Sequence, residues 1–308
     1  MRIAIMGSGG VGGYFGARLV QGGADVTFIA RGDHLQAMKE RGLMIESAHD
    51  PIRLPKVKAT DDPATIGRVD LVLFAVKLWD TETAARSILP LIGPDTGIIS
   101  FQNGVQKDDM LRPIVGDSAV MGGVGYVAAA ISRPGVIAQT GTMQRLLFGE
   151  YDCRRSPRAE ALLESCRRGG INAEISSDIR REIWQKFVFL VALSATTTSM
   201  RLPIGPIREH PLTRKFLLDL MKEVVAVGRA HGVALPEDYA DERLAFADGL
   251  PADMIASMFH DLKQGKPLEL AWLSGGVVDL GAAVGVPTPA NRAVRDLLVL
   301  HAEGRRET

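Results

Sequence analysis

The sequence predicts an α/β protein in which an N-terminal doubly wound parallel sheet is followed by an all-helical C-terminal domain. Three observations lead to this fold class: strand and helix patterns alternate up to Tyr126, a glycine-rich loop follows the first strand, and helical spacing dominates from Asp178 onward. A chain of 308 residues also exceeds the usual size of one domain. We therefore expect two domains, 1–177 and 178–308.

The first three elements form a strand–helix–strand unit. Ile3–Met6 is a short apolar run that ends in glycines, Gly13–Gln21 has apolar residues at helical spacing, and Val26–Ala30 is a second apolar run. Parallel pairing of two strands requires a crossover connection, which the helix supplies. The same alternation continues through a strand at Leu71–Val76, a helix near Thr81–Leu89, a strand at Gly97–Phe101, a short helix after Asn103 and a strand at Ala119–Tyr126.

After the last of these strands the pattern changes. β-Branched and apolar residues in Gly135–Thr140 and Arg145–Gly149 flank Gly141, which predicts an antiparallel pair of strands. Beyond Pro157 the chain is predicted to be helical almost throughout. The helices are expected near Arg158–Arg168, Asp178–Met200, Leu212–His231, Asp238–Ala247, Pro251–Lys263 and Glu269–Ala283.

Charge and composition exclude several classes of partner. The 36 Lys and Arg residues balance the 36 Asp and Glu residues, so we expect neither a nucleic acid nor an anionic membrane as partner, and any anion site must be local. The longest apolar run, Phe187–Ala195, is about half a membrane span and predicts a buried helix. Since the two cysteines form no disulfide framework and the N-terminus lacks the features of a signal peptide, we expect a cytoplasmic protein.

The spacing of cysteines and histidines predicts no metal site. Cys153 and Cys166 form no Cys-x-x-Cys motif, and none of the 6 histidines forms a His-x-x-x-His pair. We therefore expect neither a disulfide framework nor a bound metal.

A glycine-rich loop connects the first strand to the first helix and matches the pattern Gly-x-Gly-x-x-Gly. In this position the glycines allow a tight turn and a close approach of the backbone to a pyrophosphate, while the helix N-terminus supplies unpaired amides. The intact strand–loop–helix–strand frame favours a dinucleotide site over an unrelated glycine turn. The predicted cofactor-binding residues of the loop are Gly7, Ser8, Gly9, Gly10, Val11 and Gly12.

The end of the second strand favours NADP over NAD. An NAD site usually carries Asp or Glu here for the ribose 2′-hydroxyl, whereas this chain has Ala30-Arg31-Gly32. The Arg31 guanidinium can grip a 2′-phosphate, and Asp33 is better explained as the N-cap of the next helix. The alternative is that Arg31 is an ordinary solvated arginine of a loop.

Two further polar residues follow strands of the predicted sheet. Lys77 comes after Leu73–Val76, and Asn103 follows Ser100-Phe101-Gln102. In doubly wound sheets ligands lie outside the carboxyl ends of the strands. Lys77 and Asn103 are therefore predicted to reach the cofactor.

Taken together, these motifs resemble the ketopantoate reductases (2-dehydropantoate 2-reductases) over essentially the whole chain. The resemblance implies a Rossmann-type NADP-binding domain joined to a helical domain like that of 6-phosphogluconate dehydrogenase, with the active site in the cleft between them. The motifs that carry it are the glycine loop, Ala30-Arg31-Gly32, Val76-Lys77, Gln102-Asn103-Gly104, Ile183-Trp184-Gln185-Lys186, and Ser257-Met258 with Glu269 twelve residues after Ser257.

By the same resemblance, Lys186 is implied to be the catalytic lysine and Glu269 the active-site glutamate. Ser257 is implied to bind the substrate, as is Asn103. Hydride transfer to a ketone carbon leaves negative charge on oxygen, and a positioned ammonium can stabilise that charge and deliver the proton. Read without the family, Lys186, Glu269 and Ser257 would be ordinary helix residues.

The chain departs from the family pattern on the helix of the lysine. Asparagines usually follow that lysine by four and eight residues, and here the two positions hold Leu190 and Ser194. Both are predicted to line the substrate pocket, which would lose amide donors and gain an apolar wall.

The resemblance implies NADPH-dependent reduction of 2-dehydropantoate to pantoate, a step of pantothenate biosynthesis. Two alternatives remain: reduction of a bulkier or more apolar 2-oxo acid, and a catalytically silent NADP-binding sensor. The expected partner is a small 2-oxo acid, and the helical domain could also pair as a homodimer.

Overall fold

The protein is described by a computed structural model over residues 1–305, which divide by their contacts into two units. The first unit contains Met1–Gln102 and Lys107–Glu182. The second contains Asn103–Gln106 and the chain from Ile183 onward. The first unit is an α/β sheet unit and the second is helical, so the predicted fold class is confirmed.

The strands all belong to the first unit among the described residues, and they form one ten-stranded sheet. The strands are β1 (Arg2–Met6), β2 (Asp25–Ile29), β3 (Leu43–Glu46), β4 (Ile52–Leu54), β5 (Lys58–Thr60), β6 (Leu71–Phe74), β7 (Gly97–Ser100), β8 (Val120–Arg133), β9 (Val136–Gly149) and β10 (Asn172–Ile175). Their order is β4-β3-β9-β8-β7-β6-β1-β2-β5, with β10 beside β9.

The helices of the first unit follow the predicted alternation. They are α1 (Gly10–Gln21), α2 (Gly32–Arg41), α3 (Thr81–Ser87), α4 (Lys107–Val115) and α5 (Pro157–Arg168), with short 3-10 turns at Pro63–Thr65, Leu78–Asp80, Leu89–Leu91 and Asp117–Ala119. Six consecutive strands of the sheet, β8-β7-β6-β1-β2-β5, are parallel to one another. The residues of β6 and β7 are completely buried, as expected for strands covered on both faces.

Alternation along β1 separates the two cores of this unit. Ile3 and Ile5 belong to the core packed against α1 and α5, whereas Ala4 between them belongs to the core of α3 and α4. Because successive side chains of a strand point to opposite faces, helices cover both sides of the sheet. This is the doubly wound arrangement that the sequence predicts.

The antiparallel pair predicted for Gly135–Thr140 and Arg145–Gly149 is wrong, because both segments lie on the single long strand β9. The partner of β9 is β8, and the chain turns between them at Gly135, which has a φ of 80°. Gly141 marks an irregularity inside β9, where the register shifts opposite Val127. A glycine with positive φ is as suitable for a bulge as for a hairpin turn, which explains the error.

Among the described residues, the second unit is built from seven helices, of which the first has its four N-terminal residues in the first unit. They are α6 (Ile179–Met200), α7 (Ile204–Glu209), α8 (Pro211–Ala230), α9 (Tyr239–Asp248), α10 (Ser257–Lys263), α11 (Ser274–Ala283) and α12 (Pro289–Leu298), with 3-10 turns at Glu269–Ala271 and Val299–His301. Aliphatic side chains of these helices form one continuous core. No helix within residues 1–305 has the length and apolar character needed to cross a membrane.

The accuracy of the helix predictions differs along the second unit. The helix predicted over Asp178–Met200 agrees with α6 to within one residue. The one predicted over Pro251–Lys263 begins only at Ser257, and the one predicted from Glu269 is divided at Leu273, whose φ and ψ of −90° and −106° lie outside the helical region. Several elements are additional to the prediction: the helices α7 and α12 and the strands β3, β4, β5 and β10.

Candidate functional site

The glycine loop lies between β1 and α1, where the sequence predicts it. The amides of Gly7 and Ser8 donate to the carbonyl oxygen of Ile29 at 3.3 and 3.2 Å, and Ser8 Oγ donates to the same oxygen at 3.0 Å. Ser8 is buried, so its hydroxyl anchors the loop to the end of β2. The first turn of α1 contains the half-buried Val11.

Two adjacent glycines of the loop have opposite surroundings. A Cβ atom at Gly9 would meet no atom within 4 Å, whereas one at Gly10 would overlap the backbone carbonyl of Ala129. Gly10 is therefore required for packing, as is Gly12, which lies against the carbonyl of Gly7. Gly9 leaves open space beside the N-terminus of α1, where unpaired amides and the helix dipole favour an anion.

Arg31 follows β2 and occupies the N-cap position of α2. Its side chain is 85% exposed, and Nη2 donates to Oδ2 of Asp80 at 3.0 Å. The predicted N-cap role of Asp33 is wrong, because the helix begins at Gly32 and Asp33 lies in its first turn. In that position its carboxylate still interacts favourably with the helix dipole.

Lys77 follows β6 and precedes the short turn Leu78–Asp80. Its Nζ atom lies 5.5 Å from the centroid of the Trp79 ring. Because β2 and β6 are the two neighbours of β1 in the sheet, Arg31 and Lys77 lie at the carboxyl ends of the strands that flank the glycine loop. This is the edge at which doubly wound sheets bind ligands.

His34, which sequence reasoning missed, connects the start of α2 to the glycine loop and to the turn between β8 and β9. Its Nε2 atom lies 3.0 Å from the carbonyl oxygen of Ser8, and its Nδ1 atom accepts from the amide of Gly135 at 3.1 Å. The two partners require a neutral ring with the proton on Nε2. Burial lowers the pKa of His34, and the hydrogen bond to Ser8 opposes that shift. No local sequence pattern signals contacts over such separations.

In the second unit, Lys186, Asn103 and Glu269 form a hydrogen-bonded chain. Nζ of Lys186 donates to Oδ1 of Asn103 at 3.4 Å, and Nδ2 of Asn103 donates to Oε2 of Glu269 at 3.3 Å. Lys186 lies on α6 and is half-buried, whereas Glu269 is 4% exposed and begins a 3-10 turn. The structure thus brings together three of the residues that the sequence singled out, from positions up to 166 residues apart.

A polar network of the first unit holds the segment that leads to Asn103. Ser100 Oγ donates to the side chain of Gln102 at 2.9 Å, and Gln102 Nε2 donates to Thr81 Oγ1 at 2.8 Å. All three residues are buried. The chain is therefore fixed in position immediately before the asparagine.

A buried ion pair holds the chain on the other side of Asn103. Nζ of Lys107 donates to the carbonyl oxygen of Ser100 at 2.7 Å and to Oδ2 of Asp108 at 2.9 Å, and the hydroxyl of Tyr151 also donates to Oδ2 of Asp108. Burial lowers the pKa of Lys107 and raises the pKa of Tyr151. Neither residue was singled out in the sequence, where Lys107 resembles a solvated residue of a helix start.

The three remaining predicted residues lie on α6 or at the start of α10. Leu190 is half-buried and packs against the helical core, and Ser194 is completely buried, its Oγ without a hydrogen-bond partner among the described residues. Ser257 is exposed and begins α10. The preceding amide, of Ala256, donates to Thr197 Oγ1 at 3.4 Å, which connects the start of α10 to α6.

The arrangement has the groups that a carbonyl reductase requires. An ammonium can stabilise the charge that develops on a carbonyl oxygen and can transfer a proton to it. A buried carboxylate can accept a hydrogen bond from a substrate hydroxyl. The residues described contain no cluster of three metal-binding side chains.

Comparison with known proteins gives matches along nearly the whole chain. The family model described as "Ketopantoate reductase PanE/ApbA" matches residues 3–152, and the corresponding C-terminal model matches residues 178–302. A 2-dehydropantoate 2-reductase from Mesorhizobium japonicum is 31% identical over 320 aligned positions, which cover 97% of each chain.

Solved structures of similar chains have the same fold. A ketopantoate reductase of the PanE/ApbA family from Ralstonia eutropha JMP134 is 34% identical with a TM-score of 0.89, and the match covers 98% of each chain. A D-mandelate dehydrogenase, solved with NADH and anilino(oxo)acetate, is 23% identical with a TM-score of 0.88, and this match also covers 98% of each chain.

Proposed function

Because the chain belongs to the ketopantoate reductase family of oxidoreductases, we propose that it reduces 2-dehydropantoate to pantoate with NADPH, a step that supplies pantothenate. The observation that carries this proposal is the chain of hydrogen bonds from Lys186 through Asn103 to Glu269. It presents an ammonium, an amide and a carboxylate together, and the family reaction has a use for each.

The glycine loop fits a dinucleotide. The backbone here forms a cradle in which amides can face a pyrophosphate. It consists of the open space at Gly9, the contact of Gly10 with Ala129 and the start of α1, which has no side-chain cap. When bound, a reduced nicotinamide supplies the hydride. Ser8 and His34 support this cradle from the protein side, since the carbonyl of Ser8 contacts the His34 ring.

Lys186 acts as the proton donor in this proposal. Hydrogen bonding to the amide oxygen of Asn103 orients its ammonium, which would stabilise the carbonyl oxygen of the substrate as that oxygen gains charge, and then protonate it. Glu269 would accept a hydrogen bond from the substrate hydroxyl. Asn103 donates to Glu269 and so holds that carboxylate in position.

Arg31 supports NADPH rather than NADH as the cofactor. Its guanidinium is 85% exposed at the end of β2, and a guanidinium can bind a 2′-phosphate through two hydrogen bonds. The strand end Ile29-Ala30-Arg31 carries no carboxylate of the kind that usually holds the ribose 2′-hydroxyl of NAD.

A second candidate substrate is a bulkier or more apolar 2-oxo acid. Leu190, where the family usually has asparagine, offers a half-buried apolar surface one helical turn beyond Lys186. The D-mandelate dehydrogenase that shares this fold was solved with anilino(oxo)acetate, an aromatic ligand. A substrate with an apolar side chain would be compatible with this replacement.

The test measures the rate at which the full-length protein oxidises the reduced nicotinamide cofactor, recorded as a loss of absorbance. The measurement compares 2-dehydropantoate with aromatic and branched 2-oxo acids, and NADPH with NADH. Efficient NADPH-dependent turnover of 2-dehydropantoate supports the proposal, whereas turnover of only another 2-oxo acid supports the second candidate. Cofactor binding without turnover of any acid would instead support the sensor interpretation.

A further inference from the structure

An ion pair of the first unit spans the strand that leads into the glycine loop. Arg31 follows β2, and Asp80 ends the short turn after β6. Since β2 and β6 are the two neighbours of β1, the bond of 3.0 Å between Arg31 Nη2 and Asp80 Oδ2 joins the two sides of the loop. The guanidinium proposed for the 2′-phosphate therefore has an anionic partner of its own.

The carboxylate of Asp80 is not occupied in capping a helix. Asp80 is the N-cap residue of α3, a position at which aspartate usually accepts a hydrogen bond from a backbone amide of the first turn. Here its side chain makes no such bond and turns to Arg31. Capping of α3 thus does not account for an acidic side chain at position 80, whereas the ion pair with Arg31 does.

We propose that Asp80 is a specificity-determining residue that lowers the preference of the site for NADPH over NADH. This inference depends on the proposed function, in which Arg31 binds the 2′-phosphate. A phosphate monoester carries a charge of about −1.5 to −2 at neutral pH, so it is repelled by a carboxylate within a few ångströms. It must also share Arg31 with Asp80. NADH lacks the phosphate, and its binding avoids both effects.

The exposure of the pair sets the size of the effect. The side chain of Arg31 is 85% exposed and that of Asp80 is 32% exposed, so solvent screens both the ion pair and the repulsion. We expect removal of the Asp80 charge to lower the dissociation constant of NADPH by about three- to tenfold, and that of NADH by less than about twofold.

The experiment measures dissociation constants of NADPH and NADH by calorimetric titration of the full-length wild type, Asp80→Asn and Glu82→Gln. Asparagine keeps the shape of the side chain and can still accept a hydrogen bond from Arg31. Glu82 is the matched control, since it lies two residues away, is exposed, and pairs with Arg86 at 2.8 Å on the surface of α3. Glu82→Gln should leave the ratio of the two constants unchanged.

Each outcome has a defined meaning. Tighter NADPH binding in Asp80→Asn alone, with an effect that shrinks at high salt, supports the inference. An unchanged ratio, or weaker NADPH binding, overturns it and leaves the proposed function standing. If the wild type binds neither cofactor, the proposed function fails and the role of Asp80 fails with it.

Discussion

The side-chain amide oxygen of Asn103 accepts a hydrogen bond of 3.4 Å from Nζ of Lys186. The nitrogen of the same amide donates to the buried carboxylate of Glu269 at 3.3 Å. Only one orientation of the amide satisfies both neighbours, since an ammonium can only donate and a carboxylate can only accept. Asn103 therefore orients the proposed acid and the proposed substrate-binding carboxylate together.

Replacing Lys186 by alanine should reduce kcat by about 10²-fold or more, because it removes the proposed proton donor. The dissociation constant of NADPH should stay within about twofold, since the glycine loop belongs to the first unit. Steady-state kinetics and cofactor titration check both. Lys215→Ala is the control: Lys215 is 71% exposed on α8 and pairs with Asp219. Near-normal turnover in Lys186→Ala would exclude the lysine from proton transfer.

Gly9→Ala and Gly10→Ala should separate cofactor binding from packing. Gly9 has an extended backbone, with φ −76° and ψ −156°, and open space at its Cβ position, so alanine there should fold normally. We expect it to weaken dinucleotide binding by about tenfold or more, because the methyl group would occupy the space proposed for the pyrophosphate. Gly10→Ala should destabilise the protein by about 1–3 kcal/mol through overlap with Ala129.

Thermal or denaturant unfolding and cofactor titration of both glycine variants provide the check. Unchanged dinucleotide affinity in Gly9→Ala would show that the open space at this residue is not the pyrophosphate site.

Replacing Lys107 by methionine should lower the free energy of unfolding by about 3–5 kcal/mol, because the carboxylate of Asp108 would stay buried without its cation. The double variant Lys107→Met with Asp108→Asn should recover part of that loss. Lys58→Met is the surface control: Lys58 is 67% exposed, and loss of its pair with Asp25 should cost less than about 1 kcal/mol. Equal losses at Lys107 and Lys58 in urea unfolding would contradict the argument.

Stability should decrease as the pH falls below 6.5, in part because of His34. Burial holds the pKa of the folded histidine below its ordinary value of 6.5, so the unfolded chain takes up the proton first. Where the unfolded state binds more protons, stability rises with pH, and this contribution is therefore lost on acidification. His34→Gln should show a smaller change in Tm between pH about 7.5 and about 5.5.

The control for this pH dependence is His49→Gln, because His49 is exposed. It should behave as the wild type does. If His34→Gln has the same pH slope as the wild type, the half-buried His34 does not contribute to the acid sensitivity.

Leu190→Asn should shift the substrate preference toward 2-dehydropantoate, with about a tenfold gain in its kcat/KM relative to an apolar 2-oxo acid, because the amide restores a hydrogen-bonding partner. Leu218→Asn is the control, since Leu218 is also half-buried against the helical core but lies on α8. Both changes should cost some stability. A preference that is the same in both variants would mean that position 190 does not select the substrate.

The parts of the fold that the sequence predicts correctly depend on local patterns. The helix of Lys186 is one segment of 22 residues without glycine or proline, and the glycine loop lies within one strand–helix–strand unit. The contacts of His34 with Ser8 and Gly135 span 26 and 101 positions, and no periodic signal reports such pairs. The buried state of Lys107 was likewise unpredictable, since its burial depends on Ser100, Asp108 and the surrounding packing.

The candidate site shows the same division between local and distant information. Position in the chain predicts that Asn103 follows a strand, but not that its amide bonds to Glu269, which lies 166 residues later. Leu190 and Ser194 were both predicted to line the substrate pocket, yet Leu190 is half-buried and Ser194 is inaccessible. Helical spacing gives the direction of a side chain, whereas its exposure depends on neighbours from other elements.

The short segment Asn103–Gln106 makes its contacts mainly with the chain from Ile183 onward and is therefore part of the second unit. The residues on either side of it belong to the first unit. An exchange of C-terminal halves between relatives, joined only at Ile183, would separate Lys186 and Glu269 from the asparagine that connects them. A hybrid enzyme that keeps this connection must transplant the four-residue insert together with the C-terminal half. Recombination within the family is thus constrained at two places in the gene rather than one.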